Sequence, residues 1–128
     1  MRCLICAIVE DEPLAVQMLK GYISKRSDLT LVATIDNVYD FHVIIKRITP
    51  DIIFLDFKTP GFDGDVDKIL DQISPNSIVI NTSASPLSHF RNKEEIENNN
   101  KVYELLKPFS LEKFNECIDF LLGIGHFQ

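Results

Sequence analysis

The sequence predicts an α/β fold: a doubly wound, five-stranded parallel sheet with helices on both faces. Three observations point there. Short apolar runs alternate five times with segments whose apolar residues recur at spacings of three and four. The runs are continuous rather than alternating, as in strands buried on both faces of a parallel sheet. Polar residues gather after the strands, at Glu10-Asp11, Asp56, Thr82-Ser83 and Lys107. Those are the carboxyl ends, the edge at which open α/β sheets bind ligands.

Leu4 to Val9 is the first strand, and Glu10-Asp11-Glu12-Pro13 breaks it. Proline and acidic residues both suit a helix amino terminus. Leu14, Met18 and Tyr22, with Ala15, Leu19 and Ile23, form an apolar stripe at spacing four, so helix one runs to about Ser24. Leu29 to Ile35 is strand two, rich in β-formers. Asp36-Asn37 offers a cap for helix two, whose core face is Val38, Phe41, Ile44, Ile45 and Ile48. Thr49-Pro50 stops it.

Ile52-Ile53-Phe54-Leu55 is strand three and runs straight into Asp56. Pro60-Gly61 and Asp63-Gly64 are turn signals. Val66, Ile69, Leu70 and Ile73 define helix three, and Ile78-Val79-Ile80 is strand four. Leu87, Phe90 and Ile96 are sparse anchors for a thinly packed helix four over residues 87 to 98. Val102 to Leu106 is strand five. Leu111, Phe114, Ile118 and Leu121 or Leu122 mark helix five, with Ser110 as its cap and Gly123 at its end. With right-handed crossovers, 2-1-3-4-5 is the usual strand order for such a chain.

The 128 residues suffice for one domain with a core, about residues 3 to 122, and a short tail over 123 to 128. A formal net charge of −6 argues against direct nucleic-acid binding through a basic face. No apolar run approaches the roughly 20 residues of a membrane helix. Three cysteines without a disulfide framework suit a reducing cytoplasm. Cys3 and Cys6 spell a Cys-x-x-Cys, but residues three apart on a strand face opposite ways, so packed thiols are favoured over zinc. Cys117 lies beside the core stripe of helix five. His42, His89 and His126 share no metal-ligand spacing.

A carboxylate at the end of a buried strand needs a cation, donors or a chemical role. Asp56 alone reads as a turn or capping aspartate. Beside Glu10, Asp11, Thr82, Ser83 and Lys107 it reads differently. Three carboxylates repel one another, and Mg²⁺ is the hard, oxygen-seeking cation that resolves this. A nucleophilic aspartate with Mg²⁺, a hydroxyl and an amine is what phosphoryl transfer requires. Glu10 and Asp11 also suit the amino terminus of helix one, and Ser83 suits a cap for helix four.

At this point the chain resembles the receiver domain of two-component response regulators. The resemblance rests on Ile8-Val9-Glu10-Asp11-Glu12-Pro13-Leu14, Leu55-Asp56 with Pro60-Gly61-Phe62-Asp63-Gly64, Ser83-Ala84 and Lys107-Pro108-Phe109. The opening and closing segments look most like receivers that precede LytTR-type DNA-binding domains, hence transcription regulation. The resemblance implies a flavodoxin-like three-layer sandwich. It implies Asp56 as phosphoacceptor for a sensor histidine kinase, Ser83 as switch hydroxyl, with Thr82 beside it, and Lys107 as phosphoryl contact. It implies Mg²⁺ held by Glu10, Asp11, Asp56 and the backbone carbonyl of Lys58, with Glu10 binding through water, and a cis Lys107-Pro108 peptide. An output domain or partner protein reached through helix four, strand five and helix five, and a homodimer through helices four and five, are further implications. The domain would phosphorylate and dephosphorylate itself without being a turnover enzyme.

Two positions depart from the family pattern. Glu104 stands where an aromatic residue is usual, three before the lysine, and Thr59 where methionine is common. Tyr103 faces the opposite side of strand five and does not substitute. Altered output is therefore expected. Of the competing functions, a haloacid-dehalogenase-type phosphatase needs a second acid where Lys58 stands, and an FMN carrier needs a Ser/Thr/Gly loop where this chain is acidic. A receiver-fold binding module that works without phosphorylation is the stronger alternative.

Overall fold

A computed structural model of the chain describes residues 3–62, 66–90 and 101–123. Strands β1 (Leu4–Val9), β2 (Leu29–Ile35), β3 (Ile52–Leu55), β4 (Ile78–Asn81) and β5 (Lys101–Glu104) form one sheet in the order 2-1-3-4-5. Every pairing is parallel. The helices are α1 (Pro13–Ser24), α2 (Val38–Ile48), α3 (Val66–Asp71) and α4 (Leu111–Leu122). A single 3₁₀ turn, Leu87–His89, follows β4.

The period of two along each strand splits the core into two layers. On one face, Cys6, Ile8, Ile52, Phe54 and Ile80 pack with α1 and α4 through Leu19, Ile23, Phe114 and Ile118. Phe54 and Phe114 stack with ring centroids 5.6 Å apart. On the other face, Val9, Ile53, Leu55 and Val79 pack with α2 and α3 through Phe41, Ile45, Ile69 and Leu70. Both faces of the central strands are apolar, which is why their sequences run without alternation.

The helix ends follow local chemistry. Asn37 Oδ1 accepts the Asp40 amide at 2.8 Å, and Ser110 Oγ accepts the Lys113 amide at 3.1 Å. Pro13 opens α1 behind Glu12, whose side chain makes no capping bond. Gly123 ends α4 at φ 73°, and Thr49 ends α2 in the left-handed region at φ 40°.

Several expectations need correction. Leu14 is 73% exposed, so the core face of α1 is Ala15, Leu19 and Ile23, with Met18 and Tyr22 half-buried. Residues at spacing four drift around the helix, and Leu14 falls off the edge of the stripe. Helix α3 ends at Asp71, although Ile73 just beyond it is still buried. Strand β5 stops at Glu104, but the Leu105 amide still donates to Asn81 O at 2.9 Å, so the register continues. Of the helix expected over residues 87 to 98, the 3₁₀ turn is what the described residues contain; residues 91–98 lie outside them, as do the Asp63-Gly64 turn, His126 and the tail over 124–128.

Cys3, just ahead of β1, is exposed, Cys6 within the strand is buried, and Cys117 is half-buried. Burial pushes the Cys6 thiol up to about 12 and the Cys117 thiol to about 11. No helix among the described residues is long and apolar enough to cross a membrane.

Candidate functional site

A backbone ladder carries the polar residues to one edge. The Glu10 amide donates to Ile35 O and the Asp56 amide to Val9 O, each at 2.9 Å. The Thr82 amide donates to Leu55 O and the Lys107 amide to Ser83 O, each at 3.0 Å. The residues after β1, β3 and β4 are thus held by the ends of neighbouring strands, and Lys107 by the loop after β4. The apolar runs fix the register, and the register fixes the polar edge.

Asp56 and Glu10 are buried, at 4% and 2% exposure. The Lys107 ammonium lies 2.9 Å from Asp56 Oδ2 and 2.9 Å from Glu10 Oε1, with the exposed Glu12 carboxylate at 3.7 Å. Asp56 Oδ1 accepts the Lys58 amide at 2.8 Å. Glu10 Oε2 accepts the Glu12 amide at 3.2 Å. One ammonium therefore neutralises two buried carboxylates. Burial raises the Glu10 pKa; the neighbouring Asp56 charge adds to this, and Lys107 offsets only part of it. Burial works against the Lys107 charge, but Asp56 and Glu10 outweigh it and raise its pKa. The Lys107–Pro108 peptide is cis, as the resemblance implies.

Glu10, Asp56, Lys58 and Lys107 thus come together. Asp11 follows Glu10 directly; it is exposed, makes no side-chain hydrogen bond or ion pair among the described residues, and lines an open cleft of about 580 Å³ together with Glu10, Gln17, Lys20 and Asp36. Among the described residues no group of three His, Cys, Asp or Glu is close enough to hold a metal. The donor chemistry nonetheless fits a hard divalent cation, because two buried carboxylates converge on a single positive charge and a third stands exposed next in sequence.

Thr82 and Ser83 are both fully buried. Thr82 Oγ1 has no hydrogen-bond partner among the described residues. The Ser83 hydroxyl lies 2.8 Å from Asn81 Oδ1 and 2.7 Å from Ser85 O, within its own loop rather than on Asp56. Asn81 was not singled out by the sequence, where it reads as the polar end of β4. Its carboxamide organises that loop. Glu104, expected only to disturb a switch, accepts the Leu87 amide and the Asn81 side-chain amide. Thr59 is also fully buried, and its Oγ1 has no partner among the described residues.

Parallel order 2-1-3-4-5, with an acidic residue after β1, an aspartate after β3 and a lysine before a cis proline after β5, defines a receiver-type α/β domain. Residues 6–119 match the response regulator receiver domain family, and the chain belongs to it. It is similar to the probable C4-dicarboxylate response regulator DctR of Bacillus subtilis, 29% identical over 88% of this chain and 49% of that protein. It is also similar to the sensory transduction protein LytT of Oceanobacillus iheyensis, 30% identical over 84% of this chain and 43% of that one. The likeness to receivers of LytTR-type regulators holds. The signal receiver domain of the putative response regulator NarL from Mycobacterium tuberculosis shares the fold, with a TM-score of 0.72 at 16% identity over 96% of this chain and 98% of that one. The response regulator domain of Thermotoga maritima CheB does so at 0.69 and 20% identity, covering 96% and 94%. The chain spans about half the length of the curated relatives, 49% of DctR and 43% of LytT.

Proposed function

We propose that this receiver domain accepts a phosphoryl group on Asp56 from the phosphohistidine of a sensor histidine kinase. The observation that carries the reading is the pairing of buried Asp56 with one fixed ammonium, Lys107, and one fixed amide, that of Lys58. A carboxylate oxygen of Asp56 attacks phosphorus; the phosphorus–nitrogen bond breaks and the histidine leaves with its electron pair. Lys107 follows the charge onto the phosphoryl oxygens, and the Lys58 amide keeps the carboxylate oriented. Glu10, Asp11, Asp56 and the Lys58 carbonyl would hold Mg²⁺, which supplies further neutralisation of the phosphoryl oxygens. Ser83, with Thr82 beside it, contributes the hydroxyl that meets the phosphoryl group.

Residues 3 to about 122 act as one domain in the cytoplasm, without turnover of a substrate. The partners are the kinase and an output domain or protein reached through residues 87–98, β5 and α4, and two copies pair through residues 87–98 and α4. Relatives about twice as long as this chain support an output domain, of LytTR type, in the whole regulator. A second reading, a binding module that works without phosphorylation, is favoured by the Ser83 hydroxyl being engaged within its own loop.

Intact mass after incubation with acetyl phosphate and Mg²⁺ separates the two. One added phosphoryl group on the wild type, lost in Asp56→Asn and in EDTA, supports the phosphoacceptor. No adduct from acetyl phosphate or from a cognate kinase supports the module.

A further inference from the structure

The loop that carries Ser83 is tied by a hydrogen-bonded network that the phosphoacceptor reading does not require. The Asn81 carboxamide makes three hydrogen bonds and lies within reach of a fourth. Its Oδ1 accepts the Ser83 amide at 3.0 Å and lies 2.8 Å from the Ser83 hydroxyl. Its Nδ2 donates to Ser85 O at 3.0 Å and to Glu104 Oε2 at 3.4 Å. The same Glu104 oxygen accepts the Leu87 amide. The two ends of the loop, Ser83 and Leu87, are thus joined through one carboxamide and one carboxylate. A hydroxyl has a single hydrogen, and here two acceptors lie within its reach, Asn81 Oδ1 at the end of β4 and Ser85 O in the loop.

We propose that Asn81 and Glu104 are positioning residues for Ser83: a carboxamide–carboxylate latch that holds the loop of residues 83–87 and keeps the Ser83 hydroxyl off Asp56. The proposal rests on the reading of Asp56 as phosphoacceptor. For the hydroxyl to reach a phosphoryl group on Asp56, it must leave Asn81 and Ser85, and the latch resists that movement. Glu104 reaches the Leu87 amide from the end of β5, across the β4 edge, so the strand next to the loop governs how easily Ser83 is released. A phenylalanine at residue 104 has no acceptor for the Leu87 amide or for Asn81 Nδ2, and could not form this latch.

The test follows phosphorylation of Asp56 by acetyl phosphate with Mg²⁺, by intact mass over time. In this step an Asp56 oxygen bonds to phosphorus, the phosphorus–oxygen bond to acetate breaks, and acetate leaves with the electron pair. Glu104→Ala removes both acceptor bonds at an exposed position, and the adduct is expected to form roughly two- to tenfold faster, the range of one net hydrogen bond. Glu104→Gln keeps an acceptor oxygen and is expected to restore the wild-type rate. In a Ser83→Ala background, Glu104→Ala is expected to have no further effect, because the latch acts through Ser83. Amide exchange at Leu87 supplies a separate readout: faster in Glu104→Ala, protected in Glu104→Gln. Unchanged adduct kinetics in Glu104→Ala, or an acceleration that persists without Ser83, overturns the latch alone. A folded wild type that forms no adduct from acetyl phosphate or from a cognate kinase overturns the phosphoacceptor reading and the latch with it.

Discussion

Replacing Lys107 with methionine tests the electrostatics of the site directly. The side chain keeps nearly its length and loses its charge. In the wild type its ammonium stands 2.9 Å from an oxygen of Asp56 and 2.9 Å from one of Glu10, so those two oxygens are at most twice that distance apart. Both carboxylates are buried, and the lysine is 22% exposed, so solvent screens the group only weakly. At an effective dielectric of about 20, two like charges at that limit repel by about 3 kcal/mol. Breaking a buried ion pair by removing one partner costs about 3–5 kcal/mol, so the two estimates meet near 3. With a urea dependence of about 1.5–2 kcal/mol/M, the unfolding midpoint should fall by roughly 1.5–2 M.

The repulsion has a specific remedy. Adding Asp56→Asn to Lys107→Met removes one of the two charges and should recover most of the loss. Mg²⁺ at about 100 times its dissociation constant should recover about 2.7 kcal/mol in Lys107→Met if the carboxylates take the ion. A Lys107→Met protein with the wild-type midpoint, or one that Asp56→Asn does not rescue, would refute the account of one ammonium neutralising two buried carboxylates.

Four further outcomes are expected. Arg26 pairs with Asp28 at 3.0 Å and Asp119 at 2.8 Å, and the guanidinium beside Asp28 holds its carboxyl below the usual 3.8. A lowered carboxyl pKa adds stability above the unfolded value that is lost as pH falls through the folded one, so the urea midpoints of wild type and Arg26→Gln should differ at pH 7 and converge below about pH 4. Gly61 has φ +92°, and a Cβ there would meet Val38 Cγ1 at 2.7 Å, so Gly61→Ala should lower stability by about 1–3 kcal/mol by thermal unfolding, while Thr49→Gly, which relieves the left-handed backbone ending α2, should raise it by about 1 kcal/mol. At pH 8 a thiol reagent should modify exposed Cys3 within the native protein, and Cys6 and Cys117 only on unfolding, because burial keeps those two protonated.

Asp56 was legible because four apolar residues run into it, and in a parallel sheet that pattern marks both a buried strand and the edge where ligands meet it. Glu10 and Lys107 were legible for the same reason, each following an apolar run. The exposure of Asp11 was not, because a residue's place after a strand does not fix how far its carboxylate is covered. Leu14 misled because hydrophobicity was counted without the angular width of the buried face. The role of Glu104 was hidden more deeply. Its partners are a backbone amide at Leu87 and a carboxamide at Asn81, and a backbone amide has no sequence signature at all. Read against the family, Glu104 is the loss of an aromatic group; in the folded chain it is an acceptor that closes a loop. Those descriptions make opposite predictions for Glu104→Ala. A lost switch leaves nothing further to remove, so the substitution would be silent, whereas a latch leaves a restraint to release, so phosphorylation would quicken.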